Sequence, residues 1–231
     1  MSDDFDLKQL ADIGDPFAEE ARAPIRPMDR SRTRLAPSPD RARVRALRTI
    51  ALALALAYDA AWLVFHERRA DLISAPPWGL ALGMAIPLAA AALGLLAALR
   101  PGPRGLGAPA ARIAALAVGG PVLFALATLL AAPHEGGDAL FWRHAATCMA
   151  VTGLLALGPL ALGLWAFRHA FATSAGWRTA AIGVAAGGLA AATMSLACPI
   201  TTATHVIVGH GLIMTVAALA GALLAPTLAR S

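Results

Sequence analysis

The amino-acid sequence predicts an all-α protein: a polytopic membrane bundle of six transmembrane helices, preceded by a mostly disordered cytoplasmic tail. Of its 231 residues, 58% are hydrophobic and only 14% are charged, whereas a soluble domain carries about 25% charged residues. The apolar residues form long blocks without the alternation of apolar and polar positions that marks strands. Such blocks are typical of helices that cross a membrane.

Six apolar blocks have roughly the length of a membrane span, which is about 20 residues. The predicted spans are residues 49–65, 78–99, 113–132, 145–167, 179–197 and 206–228. Residues 49–231 are therefore predicted to form one membrane domain, with residues 1–48 as tail and linker. Two GxxxG pairs, Gly79–Gly83 and Gly183–Gly187, predict close contacts between helices inside it.

The arginine and lysine residues predict the orientation of the bundle. With residues 1–48 inside, sixteen of the 19 Lys and Arg residues fall in inner segments, and only Arg68, Arg69 and Arg143 in outer ones. Positively charged segments stay on the cytoplasmic side. Both termini are therefore predicted to be cytoplasmic, in a multi-pass protein of the bacterial inner membrane. The net charge of +5 belongs to these flanking arginines, so we expect the lipid bilayer and not nucleic acid as its partner.

Residues 1–48 change from acidic to basic midway. Residues 1–20 carry seven acidic residues against Lys8, with apolar residues at near-helical spacing. Residues 22–48 carry nine arginines and four prolines, which disfavour a long helix. The acidic stretch is predicted to dock a cytoplasmic partner or to remain a solvated tail, and the basic linker could bind anionic lipid. The candidate partner-binding residues are Leu7, Leu10, Ile13 and Phe17.

Both cysteines of the chain are predicted to lie at the outer face. Cys148 lies 20 residues before Arg168, and Cys198 lies 20 residues after Arg178. On two helices joined by the turn 168–178, both thiols then stand about 30 Å from that turn. This is the thickness of the hydrocarbon core of a bilayer, so the two thiols are expected at the same height.

Histidines gather near the two cysteines, which makes a metal site one candidate. His144 lies four residues before Cys148, so the two share a helix face. His205 and His210 open the last span, shortly after Cys198. Thiolates and imidazoles bind zinc, copper or another heavy metal, but two neighbouring thiols can also form a disulfide in an oxidising periplasm. The sequence leaves the metal site and the disulfide open, together with a third interpretation in which the two cysteines are buried and unrelated. No resident cofactor is required.

Asp59 is the one carboxylate inside an apolar block. A buried acid in a membrane suggests a functional site. Asp59 lies only two turns from the outer end of its block, however, where it could reach water or a polar neighbour, so a structural role is expected. The chain contains no phosphate-binding glycine loop, no HExxH and no CxxC motif, so no enzyme activity and no catalytic residue is predicted.

Short motifs from about Arg41 onward resemble one family. An Ala- and Gly-rich helix ends in Cys-Pro, a His-containing segment follows, and the last helix is rich in Gly. Cys148 opens the fourth span, and an Arg-x-Asp-Leu motif follows the first. Apart from Cys148, these motifs are residues Ala190–Pro199, His205–Gly211, Gly221–Pro226 and Arg69–Ala70–Asp71–Leu72. In these respects the chain resembles the NrsF-type membrane anti-sigma regulators, six-span bacterial proteins that restrain an extracytoplasmic-function sigma factor.

The resemblance implies a division of labour between the two ends of the protein. The cytoplasmic tail would hold the sigma factor, and Cys148 and Cys198 would sense metal or redox stress and trigger its release. The alternative is a small metal or solute transporter with an outer His/Cys entry site. A transporter needs polar groups that continue through the midplane of the bundle, and the six blocks offer little there beyond scattered Thr and Ser.

Overall fold

The helices of the chain are seen in a computed structural model, which describes residues 41–66, 77–99, 110–131, 141–168 and 175–228. All regular structure in these ranges is helical, which confirms the predicted all-α class. The chain divides into two units, Met1–Asp40 and Arg41–Ser231. The first unit, which contains the candidate docking residues Leu7, Leu10, Ile13 and Phe17, lies outside the described residues.

Each predicted apolar block corresponds to a helix or helical run. In chain order these are α1 (Arg41–Phe65), α2 (Pro77–Leu99), α3 (Ala110–Ala131), α4 (Phe141–Phe167), α5 (Ala175–Ala197), and a last run made of α6 (Ala203–Val206), a π-helical turn (Ile207–Gly211) and α7 (Leu212–Leu228). Residues 41–48, predicted as the end of an extended linker, are helical. The four prolines of that linker all precede Arg41, so none of them interrupts α1.

Five of these helical segments are long and apolar enough to cross a membrane. They are Ala42–Phe65, Ala81–Leu99, Phe141–Phe167, Ala175–Ala197 and Ala203–Ala225. Within the described residues, α3 contributes a shorter apolar helix, Ala117–Leu130. Large apolar side chains such as Leu130 and Leu223 are exposed, as lipid-facing residues are. These helices fit a membrane protein, while the sixth span and the cytoplasmic placement of both termini stay predictions.

α5 is the central helix of the bundle. In its most apolar stretch 72% of the residues are buried, against 44% or less in the corresponding stretches of the other four candidate spans. It contacts α1, α2, α3, α4 and α7. Its buried residues are mostly alanine and glycine. Lipid tails are as apolar as leucine, so helices in a membrane associate through close packing, which small residues permit.

Glycines set the closest approach between α5 and the last helix. A side chain at Gly187 would meet the Cα atom of Met214 at 2.6 Å, and one at Gly183 would meet the backbone of Ala217. Real Cβ atoms do not come this close to other atoms. The opposite face of α5 approaches α2 in the same way at Gly188. The predicted contact role of the Gly183–Gly187 pair is therefore confirmed.

In the other GxxxG pair, Gly79–Gly83, the surroundings of Gly83 are described, and Gly83 does not make a close contact between helices. A side chain at Gly83 would meet only the hydroxyl oxygen of Ser195, at an ordinary distance of 3.9 Å. The surroundings of Gly79 lie outside the described side chains. α2 instead meets α5 at Gly94, where a side chain would lie 2.7 Å from the carbonyl oxygen of Ala181.

The substitution Gly187→Ala should lower the thermal unfolding midpoint of the protein purified in detergent. The added methyl group must displace the backbone of Met214, and overpacking of this kind costs about 1–3 kcal/mol. Gly119→Ala is the matched control, because a side chain there would meet nothing within 4 Å. Both substitutions raise helix propensity by about 1 kcal/mol. An equal rise of the two midpoints would contradict the constraint at Gly187.

Candidate functional site

Both cysteines lie at one end of the bundle, where α4 begins and α5 ends. Cys148 lies in the first third of α4, and Cys198 follows directly after Ala197, the last residue of α5. The two residues are 50 positions apart in the sequence, yet their sulfur atoms are 3.6 Å apart. Both cysteines are free thiols. The two helices thus place the thiols at the same height, as their equal distances from the α4–α5 turn predict.

Two buried histidines complete a compact group around these thiols. The sulfur atom of Cys198 lies 3.4 Å from Nε2 of His205. The rings of His205 and His210 meet edge to face, with centroids 5.6 Å apart, and each histidine is only 1% exposed. One ligand atom from each of Cys148, Cys198, His205 and His210 lies within 4.8 Å of the others. We call these four residues the cysteine–histidine group.

The electrostatics of the group favour a ligand that accepts electron pairs. Neither ring nitrogen of His210 has a hydrogen-bond partner within the described part of the chain. Buried polar atoms normally have a partner, and an exception points to a missing ion or water. The hydrogen bond shared with the Cys148 thiol, and then the one with His205, lower the pKa of the Cys198 thiol against the effect of burial. Thiolate is the form in which cysteine binds metals.

The π-helical turn brings the two histidines to the same side of the last helical run. In an α-helix, residues five apart point in directions about 140° apart. In a π-helical turn the hydrogen bonds join residues five apart, so these residues lie one above the other. The N–H group of Leu212 donates to the carbonyl oxygen of Ile207, which is such a bond. The turn therefore allows both His205 and His210 to contribute to one site.

Gly209 and Thr152 join this turn to α4. A Cβ atom at Gly209 would lie 3.1 Å from the Cβ atom of Cys148, so only glycine lets the two segments pack without a shift. The hydroxyl group of the buried Thr152 donates to the carbonyl oxygens of Cys148 at 2.6 Å and of Gly209 at 3.1 Å. Thr152 thus connects the backbone of a cysteine to the turn that holds the histidines. The spacing patterns of the sequence did not reveal this role.

His144, predicted as a further ligand, is not a member of the group. It does precede Cys148 by four residues on α4, but this places it about 6 Å further toward the start of the helix. The ligand atoms of the group all lie within 4.8 Å of one another. Sharing a helix face is therefore not sufficient for His144 to join them.

Asp59 is only 3% exposed, and neither of its carboxylate oxygens has a hydrogen-bond partner among the described residues. The contact with water or with a polar neighbour that the sequence suggests is therefore not found in this part of the structure. Asp59 is not a member of the cysteine–histidine group. The Arg-x-Asp-Leu motif that follows α1 lies outside the described residues.

α1 reaches the same end of the bundle as the cysteine–histidine group. Trp62 packs against the apolar cluster that includes Cys198, as Cys148 does. One turn away, the hydroxyl group of Tyr58 donates to the carbonyl oxygen of Leu154 on α4 at 3.2 Å. α1 is therefore attached to α4, the helix that carries Cys148.

The chain matches a known family model over most of its length. The model described as NrsF, negative regulator of sigma F, matches residues 33–230. The match includes every described helix and all four residues of the cysteine–histidine group. Searches of curated proteins and of solved structures found no match.

The substitution Thr152→Val should destabilise the protein by about 1–3 kcal/mol, because two carbonyl oxygens lose a buried donor. Thr147→Val is the matched control. Thr147 also donates to the carbonyl oxygen four residues earlier on α4, but it is exposed and makes this local bond only. Thermal unfolding in detergent measures both variants. Equal midpoints would contradict the linking role of Thr152.

Proposed function

We propose, since this chain belongs to the NrsF family of negative regulators of sigma F, that it is an inner-membrane anti-sigma factor of the extracytoplasmic-function class. Its cytoplasmic tail holds the sigma factor, and a signal at Cys148 and Cys198 releases it. The family is one of regulators and not of enzymes. The observation that carries the sensing half is the presence of two thiols and two buried imidazoles within 4.8 Å of one another.

The geometry supports a metal ion as the signal better than it supports a disulfide. In a tetrahedral zinc site, with bond lengths of about 2.3 Å to sulfur and about 2.0–2.1 Å to nitrogen, two sulfurs lie about 3.8 Å apart, and sulfur and nitrogen about 3.6 Å apart. The corresponding distances are 3.6 Å between the sulfurs and 3.4 Å between Cys198 Sγ and His205 Nε2. A disulfide bond is about 2.05 Å long and would leave both nitrogens of the buried His210 without a partner.

The donor set of the group is suited to a thiophilic ion such as zinc, copper or cadmium. Two thiolates and two imidazoles form the closed, four-coordinate set typical of such ions. When bound, the ion supplies the positive charge that offsets two adjacent thiolates. Cys148, Cys198, His205 and His210 are the residues that would hold it.

The four ligands come from three separate segments of the bundle. Cys148 lies on α4, Cys198 at the end of α5, and the histidines on the last helical run. A ligand that binds all four favours one relative position of these segments, to the extent that its affinity differs between two arrangements. Within the described residues, α4 contacts α1 through the bond from Tyr58 to Leu154. α1 follows directly on residues 1–40, so a shift of α4 acts on the helix that leads to the tail.

The transporter alternative lacks a polar path through the described bundle. The buried Thr and Ser hydroxyl groups donate to backbone carbonyl oxygens, so they belong to helix packing. Asp59 is the one acidic residue in the described ranges. A pathway for ions needs a relay of polar groups, and a single buried carboxylate does not form one.

The purified protein should bind zinc or cadmium, and the double substitution Cys148→Ser, Cys198→Ser should abolish this binding. His210→Gln should weaken it by at least about tenfold, the effect of losing even an outer-shell partner of a metal ligand. His144→Gln is the matched control, because it lies outside the group. Titration with each metal alone, followed by thiolate-to-metal absorption, measures the affinity. A wild-type protein that takes up no metal but readily forms a Cys148–Cys198 disulfide would establish the redox alternative instead.

A sigma factor should co-purify with the full-length protein from detergent-solubilised membranes, but not with a chain that lacks residues 1–40. The double substitution Leu10→Ser, Phe17→Ser should also prevent capture, because it removes the apolar face of the tail. Ala11→Ser, Ala18→Ser is the matched control on the neighbouring positions. Equal recovery of the sigma factor with the shortened chain would show that the tail is not the docking segment.

A further inference from the structure

Asp59 lies on the face of α1 that packs against the rest of the bundle. Ala51, Ala55 and Asp59 are spaced by four residues, so they share one face of the helix, and each is at most 7% exposed. The adjacent Tyr58 is 42% exposed. α1 packs against α4 and α5. The carboxyl group of Asp59 is therefore turned toward these two helices and away from lipid.

The two helices that pack against this part of α1 carry no ionisable side chain along most of their length. The titratable residues nearest to the middle of α4 are Cys148 and Arg168, and those nearest to the middle of α5 are Arg178 and Cys198. The two thiols hydrogen-bond with each other and belong to the cysteine–histidine group. Asp59 shares no hydrogen bond with them. Its surroundings on α4 and α5 are therefore apolar or neutral.

The cationic residues of α1 and α4 are distant from Asp59 along these helices. Arg48 lies eleven residues earlier on α1, or about 16 Å, and His66 lies seven residues later, or about 10 Å. The hydroxyl group of Tyr58 donates to the carbonyl oxygen of Leu154, and this level of α4 is fourteen residues, or about 21 Å, from Arg168. Neither carboxylate oxygen of Asp59 has a hydrogen-bond partner among the described residues. A negative charge there would thus be buried without a hydrogen bond.

A bound proton removes most of the cost of this burial. Moving an ionised carboxylate out of water without a partner is far more costly than moving the neutral acid, and such a group takes up a proton instead. Acids inside membrane bundles are rare for this reason, and they commonly serve as sites for protons or ions. Asp59 is the one acid in the described ranges, so no relay of carboxyl groups continues from it there. The arrangement fits the binding of one proton and not its passage.

We propose that Asp59 is a proton-binding site that is coupled to the packing of α1. While α1 packs against α4 and α5, one carboxylate oxygen of Asp59 holds a proton taken from water. When α1 separates from these helices, water reaches the carboxyl group, the O–H bond breaks, and the proton returns to water as the carboxylate forms. Acid conditions thus favour the packed position of α1, the helix that follows directly on residues 1–40. The site requires neither a metal ion at the cysteine–histidine group nor a sigma factor.

Infrared spectroscopy of the full-length protein at neutral pH tests the protonation directly. The protein is held in a maltoside detergent, which has no carbonyl group of its own. A protonated carboxyl group absorbs at a frequency where carboxylates do not, so the wild type should show such a band. The band should be lost in Asp59→Asn and shifted in Asp59→Glu. Asp71→Asn, in the predicted outer segment after α1, is the matched control and should keep the band. A spectrum that Asp59→Asn leaves unchanged would mean that Asp59 is ionised.

The pH dependence of unfolding in the same detergent tests the coupling to packing. An unfolded chain releases the proton of an aspartic acid above about pH 4, whereas the folded bundle keeps it. The folded state then binds more protons than the unfolded state, so its stability falls as the pH rises. Relative to Asp59→Asn, the folding equilibrium constant of the wild type should therefore fall by up to about tenfold per pH unit above about pH 4. Asp71→Asn should follow the wild type.

Three results of the unfolding experiment would overturn the site. Parallel pH profiles of the wild type and Asp59→Asn would show that folding binds no proton at this position. Sodium or potassium ions that stabilise the wild type, but not Asp59→Asn, at constant pH and ionic strength would assign a metal cation to the carboxylate. Failure of Asp59→Asn to fold, while Asp59→Glu folds, would show that the bundle needs the charge, because asparagine is the neutral isostere of protonated aspartic acid.

Discussion

The bundle depends on the close approach of backbones around α5. Inside lipid, apolar surface gains nothing from leaving its solvent, so helices are held by packing contacts that increase as their axes approach. Glycine and alanine on two faces of α5 permit this approach to α2 on one side and to α7 on the other. The end of α5 and the start of the last helical run are thereby fixed relative to each other. This is what places Cys198 beside His205.

The two ends of the bundle have opposite chemistry. One end holds soft donors, two thiols and two imidazoles, which attract cations. The other end holds the guanidinium groups of Arg48 and Arg168, each of which lies over an aromatic ring. α1 and α4 extend between the two ends and contact each other through Tyr58 and Leu154. Two helices that contact each other thus join the chemically distinct ends of the bundle.

The sequence was sufficient to predict the helices and the common height of the two cysteines, but not the details of the site. Helix lengths follow from membrane thickness, so hydropathy locates the helix ends to within a few residues, except that α1 begins eight residues before the predicted span. The thiols could be placed because both are equally far from one turn. The π-helical turn could not be predicted, because periodicity arguments assume 3.6 residues per turn. The one feature of the sequence that pointed to this turn was the five-residue spacing of His205 and His210, with a glycine between them. The same periodicity argument made His144 a candidate ligand, because it lies four residues before Cys148. His144 lies about one turn further along α4, however, and is not a member of the group.

The last helical run serves two neighbours that require different rotations of the helix. Before the π-helical turn, His205 faces the thiols; after it, Met214 and Ala217 pack against the glycines of α5. A π-helical turn holds one residue more than the α-helix it interrupts, which rotates the following residues by about 100°. With one residue fewer in this segment, the helix could turn His205 toward the thiols or turn Met214 and Ala217 toward α5, but it could not do both. A single inserted residue therefore allows two histidines to be placed beside two thiols without a change in how that helix packs.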